Sequence, residues 1–71
     1  MNDDFDVRLG MLLREEREKK GITLQEIADK IGVTKTTVSR WELGARSMYA
    51  SSLKDYCRAC GIDINEIISH V

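Results

Sequence analysis

Residues 23–44 read TLQEIADKIGVTKTTVSRWELG, and this stretch encodes two short helices joined by a tight turn. It opens on Thr23-Leu24-Gln25-Glu26, a capping box in which the Thr23 hydroxyl and the Glu26 carboxylate each take an otherwise unpaired amide. Leu24, Ile27, Ala28 and Ile31 follow at helical spacing and form one buried stripe. Gly32 ends that helix after barely two turns, where the chain must reverse with positive φ. Thr34 is placed to cap a second helix over about Lys35 to Leu43, and Gly44 stops it. Ala28 falls where the two helices cross, and a larger side chain there would push their axes apart. Val38 plugs the angle between them, and Ile27, Ile31, Val33 and Trp41 complete a wedge-shaped core.

Upstream, Phe5, Leu9, Leu12 and Leu13 form one stripe of a first helix. Its outer face, Arg14 to Lys20, mixes signs and ends basic, which suits a helix C-terminus, and Gly21 closes it. Downstream comes a polar loop, Ala45 to Tyr49. A fourth helix begins near Ser51 or Ser52, with Leu53, Tyr56 or Cys57, and Cys60 as its stripe. Gly61 ends it, and Asp63 or Asn65 starts a short fifth helix carrying Ile64, Ile67 and Ile68. Gly10, Gly21, Gly32, Gly44 and Gly61 are spaced like punctuation between short helices. Proline is absent, and good helix formers are common. The reading is all-α: five helices with tight connections in a single domain over residues 1–71, without repeat or linker.

A chain of 71 residues has room for one core, and it buries only about 60% of the surface its unfolded form exposes. No apolar run approaches the roughly 20 residues needed to cross a bilayer. The start carries Asp3, Asp4 and Asp6 rather than a basic and then an apolar region, so no secretory signal is expected and the expected location is cytoplasmic. Net charge is −1, which does not by itself suggest a polyanionic ligand. Its distribution is more informative: from Lys30 to Arg46 there are four bases (Lys30, Lys35, Arg40, Arg46) and one acid, Glu42. Any window of that length can drift so far, and charge alone decides nothing.

Cys57 and Cys60 form a Cys-x-x-Cys. A structural zinc needs four ligands, and the chain offers one further ligand of the usual type, His70. Two cysteines on an amphipathic helix are more simply small buried apolar groups. No nucleophile, base and orienting acid can be assembled, and no phosphate-cradling glycine loop appears. The expectation is no enzyme, no cofactor, no metal and no small-molecule substrate.

Two short helices joined by a glycine-containing turn match the helix-turn-helix, here at about residues 23–43, which lays its second helix in the DNA major groove. Residues from about 9 to 68 resemble the Cro and phage-repressor type of domain, the XRE-like family. The resemblance is carried by Leu13-Arg14, Arg17, Gly21, Thr23 to Ala28, Gly32-Val33-Thr34, Val38 to Glu42, Gly44, and Leu53 to Gly61. It implies a compact five-helix lambda-repressor-like fold, sequence-specific binding to a double-stranded DNA operator, usually as a dimer, and control of transcription. It also implies an ion pair between Arg17 and Glu42, against the simpler reading of two solvated charges. Two positions depart from the pattern: Leu43 stands where Asn is common, and Met48 where Pro is common.

At about 100° per residue, Val38 and Trp41 define the buried side of the third helix. The opposite side carries Thr36, Ser39, Arg40 and Leu43, with Lys35 at one flank and Thr37 near the other. Arg40 can fork onto O6 and N7 of a guanine. Thr36 and Ser39 can reach base edges or phosphate, and Lys35 can do either. Without the motif around it, the same face would read as an ordinary solvated one. Phosphates are expected at groups that carry no sequence information: the amides near Leu24 and the Gln25 side chain on one strand, and Thr37, Arg46, Ser47 and the start of the fourth helix on the other. Gln25 is alternatively capping support, and Arg46 a free surface charge.

The expected function is a transcriptional regulator, a repressor that occupies a near-palindromic operator as a homodimer with half-sites about 34 Å apart. Ile62, Ile64, Ile67, Ile68 and Val71 supply more apolar surface than a last short helix needs, so they form either core alone or core and a dimer seam. Alternatives are an antitoxin or restriction-controller regulator with the same domain, a helical protein-interaction module without DNA binding, and a thiol-redox protein built on Cys57 and Cys60.

Overall fold

The computed structural model describes residues 4–71 and contains α1 (Asp4–Lys19), α2 (Leu24–Ile31), α3 (Lys35–Glu42), α4 (Ala50–Cys60) and α5 (Ile64–His70), with no strand among the described residues. Asp3, counted above in the acidic start, lies outside them, as do the first three positions of the 1–71 domain.

The local signals at α2 and α3 form as the sequence reads. Thr23 Oγ1 accepts from the Glu26 amide at 3.1 Å, while the Glu26 carboxylate accepts from the Thr23 amide at 3.0 Å. Gly32 closes α2 in the left-handed region at φ 84° and donates its N–H to the Ala28 carbonyl. Thr34 Oγ1 caps α3 by accepting from the Thr37 amide at 3.1 Å. Asp63 is the residue that starts α5, accepting from the Asn65 amide at 2.9 Å. α4 begins at Ala50, slightly before the expected serines, and its N-cap Tyr49 makes no side-chain cap. Packing rather than capping holds that end, since Leu53 is buried and its amide donates to the Tyr49 carbonyl at 3.0 Å.

One core joins all five helices: Leu9, Leu13, Ile27, Ala28, Val38, Trp41, Leu53, Tyr56, Cys57, Cys60 and Ile67. Ile27, Ala28 and Val38, the residues expected at the α2–α3 crossing, have no exposed surface. Leu12, Leu24, Ile31 and Val33 pack at its margin.

Two expectations need correction, and a third, left open between core and seam, is narrowed. Phe5 is 44% exposed, because α1 begins to bury side chains only at Leu9. Gly10 does not punctuate; it lies inside α1, where a Cβ would collide with the backbone carbonyls of Trp41 and Glu42. The glycine is a point of close approach that lets the end of α3 press on α1. The apolar surplus near the C-terminus is mostly core: Ile67 is buried, and Ile62, Ile64 and Val71 pack against it, leaving Ile68 49% exposed.

Candidate nucleic-acid interface

The orientation of α3 is set by a buried polar cluster on its inner side. Arg17 of α1 forks onto Glu42 at the end of α3, Nε to Oε2 at 2.7 Å and Nη2 to Oε1 at 3.0 Å. The third guanidinium nitrogen, Nη1, donates to the Ile22 carbonyl at 2.8 Å and so ties in the α1–α2 turn. The Tyr56 hydroxyl of α4 donates to Glu42 Oε2 at 2.6 Å and stands 3.3 Å from the Leu13 carbonyl. The expected Arg17–Glu42 pair is therefore present and buried, and Tyr56 is a third member that sequence reasoning placed only in the core. Its signal was available, because a tyrosine on a buried stripe needs a partner for its hydroxyl. The hydrogen bond to Glu42 raises the Arg17 pKa, and burial, followed by the bond to Glu42, pushes the Tyr56 hydroxyl well above its ordinary range. No buried side-chain nitrogen or oxygen among the described residues lacks a hydrogen bond.

The outer side of α3 is built differently. Lys35, Thr36 and Arg40 are exposed and Ser39 is half-buried. The single acid between Lys35 and Arg46 is Glu42, 5% exposed and turned inward. The outward charge of this segment is thus Lys35, Arg40 and Arg46, and none of the three forms an ion pair among the described residues. On α1, by contrast, Arg14 and Lys19 pair with Glu18 and Glu16. Lys30, the fourth base of the local excess, belongs elsewhere: its Nζ donates to the Ala59 carbonyl on α4 at 3.3 Å.

Two shallow clefts flank the Thr36–Arg40 ridge. One is lined by Arg14, Leu24, Ser39 and Leu43, so it joins the start of α2 to the side of α3. Here the capping box occupies the Thr23 and Glu26 amides, and those bonds, chiefly the one from the Thr23 backbone, hold the Glu26 carboxyl below its usual range. The Gln25 amide donates to Asp29 Oδ1 at 2.8 Å along its own helix. Arg14 was missed as a neighbour of this cleft, because only the α1–α3 crossing places it there. The other cleft is lined by Val33, Thr37, Trp41, Arg46, Ser47, Tyr49 and Ser52. It gathers three of the expected phosphate residues, Thr37, Arg46 and Ser47. Thr37 Oγ1 lies 2.8 Å from Thr34 Oγ1, and the Ser47 hydroxyl donates to Asp6 Oδ2 at 2.6 Å. Tyr49, not expected at the site, is 81% exposed beside them.

Cys57 and Cys60 are buried and unbridged. Burial pushes the Cys57 thiol up to about 11 and raises that of Cys60. A reactive thiol requires the opposite shift, toward thiolate. Among the described residues no cluster of three His, Cys, Asp or Glu side chains is arranged to hold a metal. His70 is exposed, its Nδ1 2.8 Å from the Glu66 carbonyl.

Two locked helices presenting a cationic, hydroxyl-rich face define a helix-turn-helix protein, and comparison with known proteins agrees. The family model described as helix-turn-helix matches residues 13–67. The chain is similar to the clp gene regulator ClgR from Corynebacterium glutamicum, with 30% identity over 90% of this chain and 83% of that one and a TM-score of 0.86. An XRE-family like protein from Pseudomonas syringae pathovar tomato shares 31% identity, covering 94% and 83% of the two chains, with a TM-score of 0.83. The restriction-modification controller protein C.AhdI from Aeromonas hydrophila shares 26% identity over 92% and 98%, with a TM-score of 0.86. Among curated protein sequences none matches. The chain belongs to the XRE-type helix-turn-helix family of DNA-binding transcription regulators.

Proposed function

We propose that this regulator is a repressor that occupies a near-palindromic operator on double-stranded DNA as a homodimer, in the cytoplasm, with residues 1–71 acting as one domain. α3 enters the major groove. Lys35, Thr36, Ser39 and Arg40 meet base edges, with Arg40 forking onto a guanine. Leu24 and Gln25 on one side, and Thr37, Arg46 and Ser47 on the other, hold phosphates. The observation that carries this reading is the outward charge of α3 and the loop after it. Lys35 and Arg40 on the helix and Arg46 in the loop form no ion pair among the described residues, no exposed acid lies between them, and the inner face of the helix is fixed to two others. A single unit contacts few bases, which is why two-fold symmetry is expected. Ile68 on α5 and Met11 on α1, 49% and 55% exposed, supply apolar surface for a seam on two helices packed together. No helix among the described residues is long and apolar enough to cross a membrane.

A restriction-modification controller is the second reading, supported by the likeness to the Aeromonas hydrophila protein. It would use the same face, and an operator beside a restriction gene would favour it.

Selection of bound sites from random duplex DNA tests the proposal. The expected result is a two-fold motif with half-sites about 34 Å apart. Arg40→Ala should then lose one base preference in each half-site, about 1–3 kcal/mol of discrimination, whereas Arg46→Ala should weaken all sequences alike. No enriched motif, or an unchanged motif for Arg40→Ala, would overturn the assignment of α3.

A further inference from the structure

Ser47 is held by a residue that lies 41 positions away in the chain: its hydroxyl donates to Asp6 Oδ2 at 2.6 Å. A serine has one hydroxyl hydrogen to give, so Ser47 bound to Asp6 has none for a phosphate. The approach that makes this contact is built into the backbone. Gly44, at φ 72°, lets the loop after α3 lie so close to the start of α1 that a Cβ there would stand 2.7 Å from the Val7 Cα. The acidic first turn of α1, Asp4 and Asp6, is thereby set against the loop that carries Arg46. No ion pair to Asp6 forms among the described residues.

We propose that Asp6 is an intramolecular competitor for the phosphate at Ser47 and Arg46. In the free protein it holds the Ser47 hydroxyl, and its charge opposes a phosphate arriving at the same corner. Binding to any duplex is thereby weakened, while the base contacts of α3 are untouched. The inference rests on Arg46 and Ser47 being phosphate contacts, as proposed above.

The test titrates a fluorescent random-sequence duplex with wild type, Asp6→Asn and Asp6→Asn/Ser47→Ala at several salt concentrations, with a thermal melt of each. Asparagine keeps an acceptor for Ser47 and removes only the charge. Asp6→Asn should bind about three- to tenfold tighter, as expected for one nearby like charge near the protein surface. Its salt dependence should steepen by up to about one unit of slope, because one more phosphate is effectively neutralised. Adding Ser47→Ala should return part of the gain, since a neutral amide holds the Ser47 hydroxyl less strongly than a carboxylate does and lets it turn to the phosphate. Asp6→Ser repeats the measurement if the amide disturbs α1. Binding by Asp6→Asn equal to or weaker than wild type, with an unchanged melt, would reduce Asp6 to a structural tether. If wild type itself bound no duplex at low salt, the interface would fall, and this inference with it.

Discussion

On the inner side of α3, Glu42 accepts hydrogen bonds from Arg17 and Tyr56, and the cluster leaves no polar atom unsatisfied. On the outer side of the same helix, Lys35 and Arg40 form no ion pair with any described residue. The helix is only eight residues long, so isolated it would be marginal in water. The inner cluster is what fixes it, because a bidentate arginine fork constrains direction as well as distance. The outer cations need the reverse treatment. A charge already paired within the protein would have to give up its partner before meeting a phosphate, and would release few counterions from DNA. If α3 is the DNA-reading helix proposed above, a domain this small separates two demands: rigidity from satisfied polar groups inside, and binding capacity from unpaired ones outside.

The largest expected effect comes from breaking the inner side. Arg17→Ala leaves the Glu42 carboxylate buried with Tyr56 as its remaining donor, a change that typically costs about 3–5 kcal/mol. A single core of this size rarely supplies more than about 3–5 kcal/mol in total. The variant should therefore be largely unfolded at room temperature by circular dichroism. Replacing the whole cluster, Arg17→Met with Glu42→Met and Tyr56→Phe, removes charge and desolvation cost together and should restore most of the helical signal. An Arg17→Ala protein that melts like wild type would show that the fork orients nothing.

Much of the fold is legible because its boundaries are local. Thr23 with Glu26, Thr34, Gly32 and Gly61 each announce a helix end by chemistry within a few residues. The exposure of Lys35, Thr36 and Arg40 follows from helical period alone, once Val38 and Trp41 are taken as core. What could not be read depends on where helices cross. Gly10 looks like the four helix-ending glycines, yet it marks a contact with backbone more than thirty positions away. Ser39 is half-buried and lines a cleft shared with Leu24 at the start of α2 and with Arg14 of α1. Lys30 counts toward a basic window in sequence but reaches α4 in space. The Ser47–Asp6 bond and the engagement of Tyr56 with Glu42 are likewise products of tertiary approach.

The approach of α3 to α1 at Gly10 can be broken by one methyl group. Alanine in place of glycine inside a helix ordinarily stabilises by up to about 1 kcal/mol. At position 10 the sign should reverse, because the added methyl meets rigid carbonyls of Trp41 and Glu42 rather than a movable side chain. Pushing α3 away from α1 should cost about 1–3 kcal/mol, as overpacking does, and it strains the Arg17 fork as well. Urea unfolding of Gly10→Ala reads the sign directly. A stabilised Gly10→Ala would mean that α3 is free to shift and that the inner side is less rigid than its hydrogen bonds imply.

A smaller effect distinguishes the two sides by pH. The buried thiol of Cys57 titrates near 11 in the folded protein against an ordinary value of 9. Its raised folded pKa means that this contribution to stability is complete below pH 9 and is lost as pH rises toward 11. In that window the unfolded chain ionises the thiol while the folded chain retains the proton. By pH 10 the loss from Cys57 should be about 1 kcal/mol. Cys60 and Tyr56, whose pKa values are also raised by burial, act in the same direction. Urea midpoints followed by Trp41 fluorescence should fall between pH 8 and 10, and Cys57→Ala should flatten the decline. Arg40→Ala should leave it unchanged, since that side chain is exposed on the outer face and forms no ion pair with any described residue. An equal flattening by Arg40→Ala would mean that the outer cations contribute to the fold after all, and the division between the two faces of α3 would then disappear.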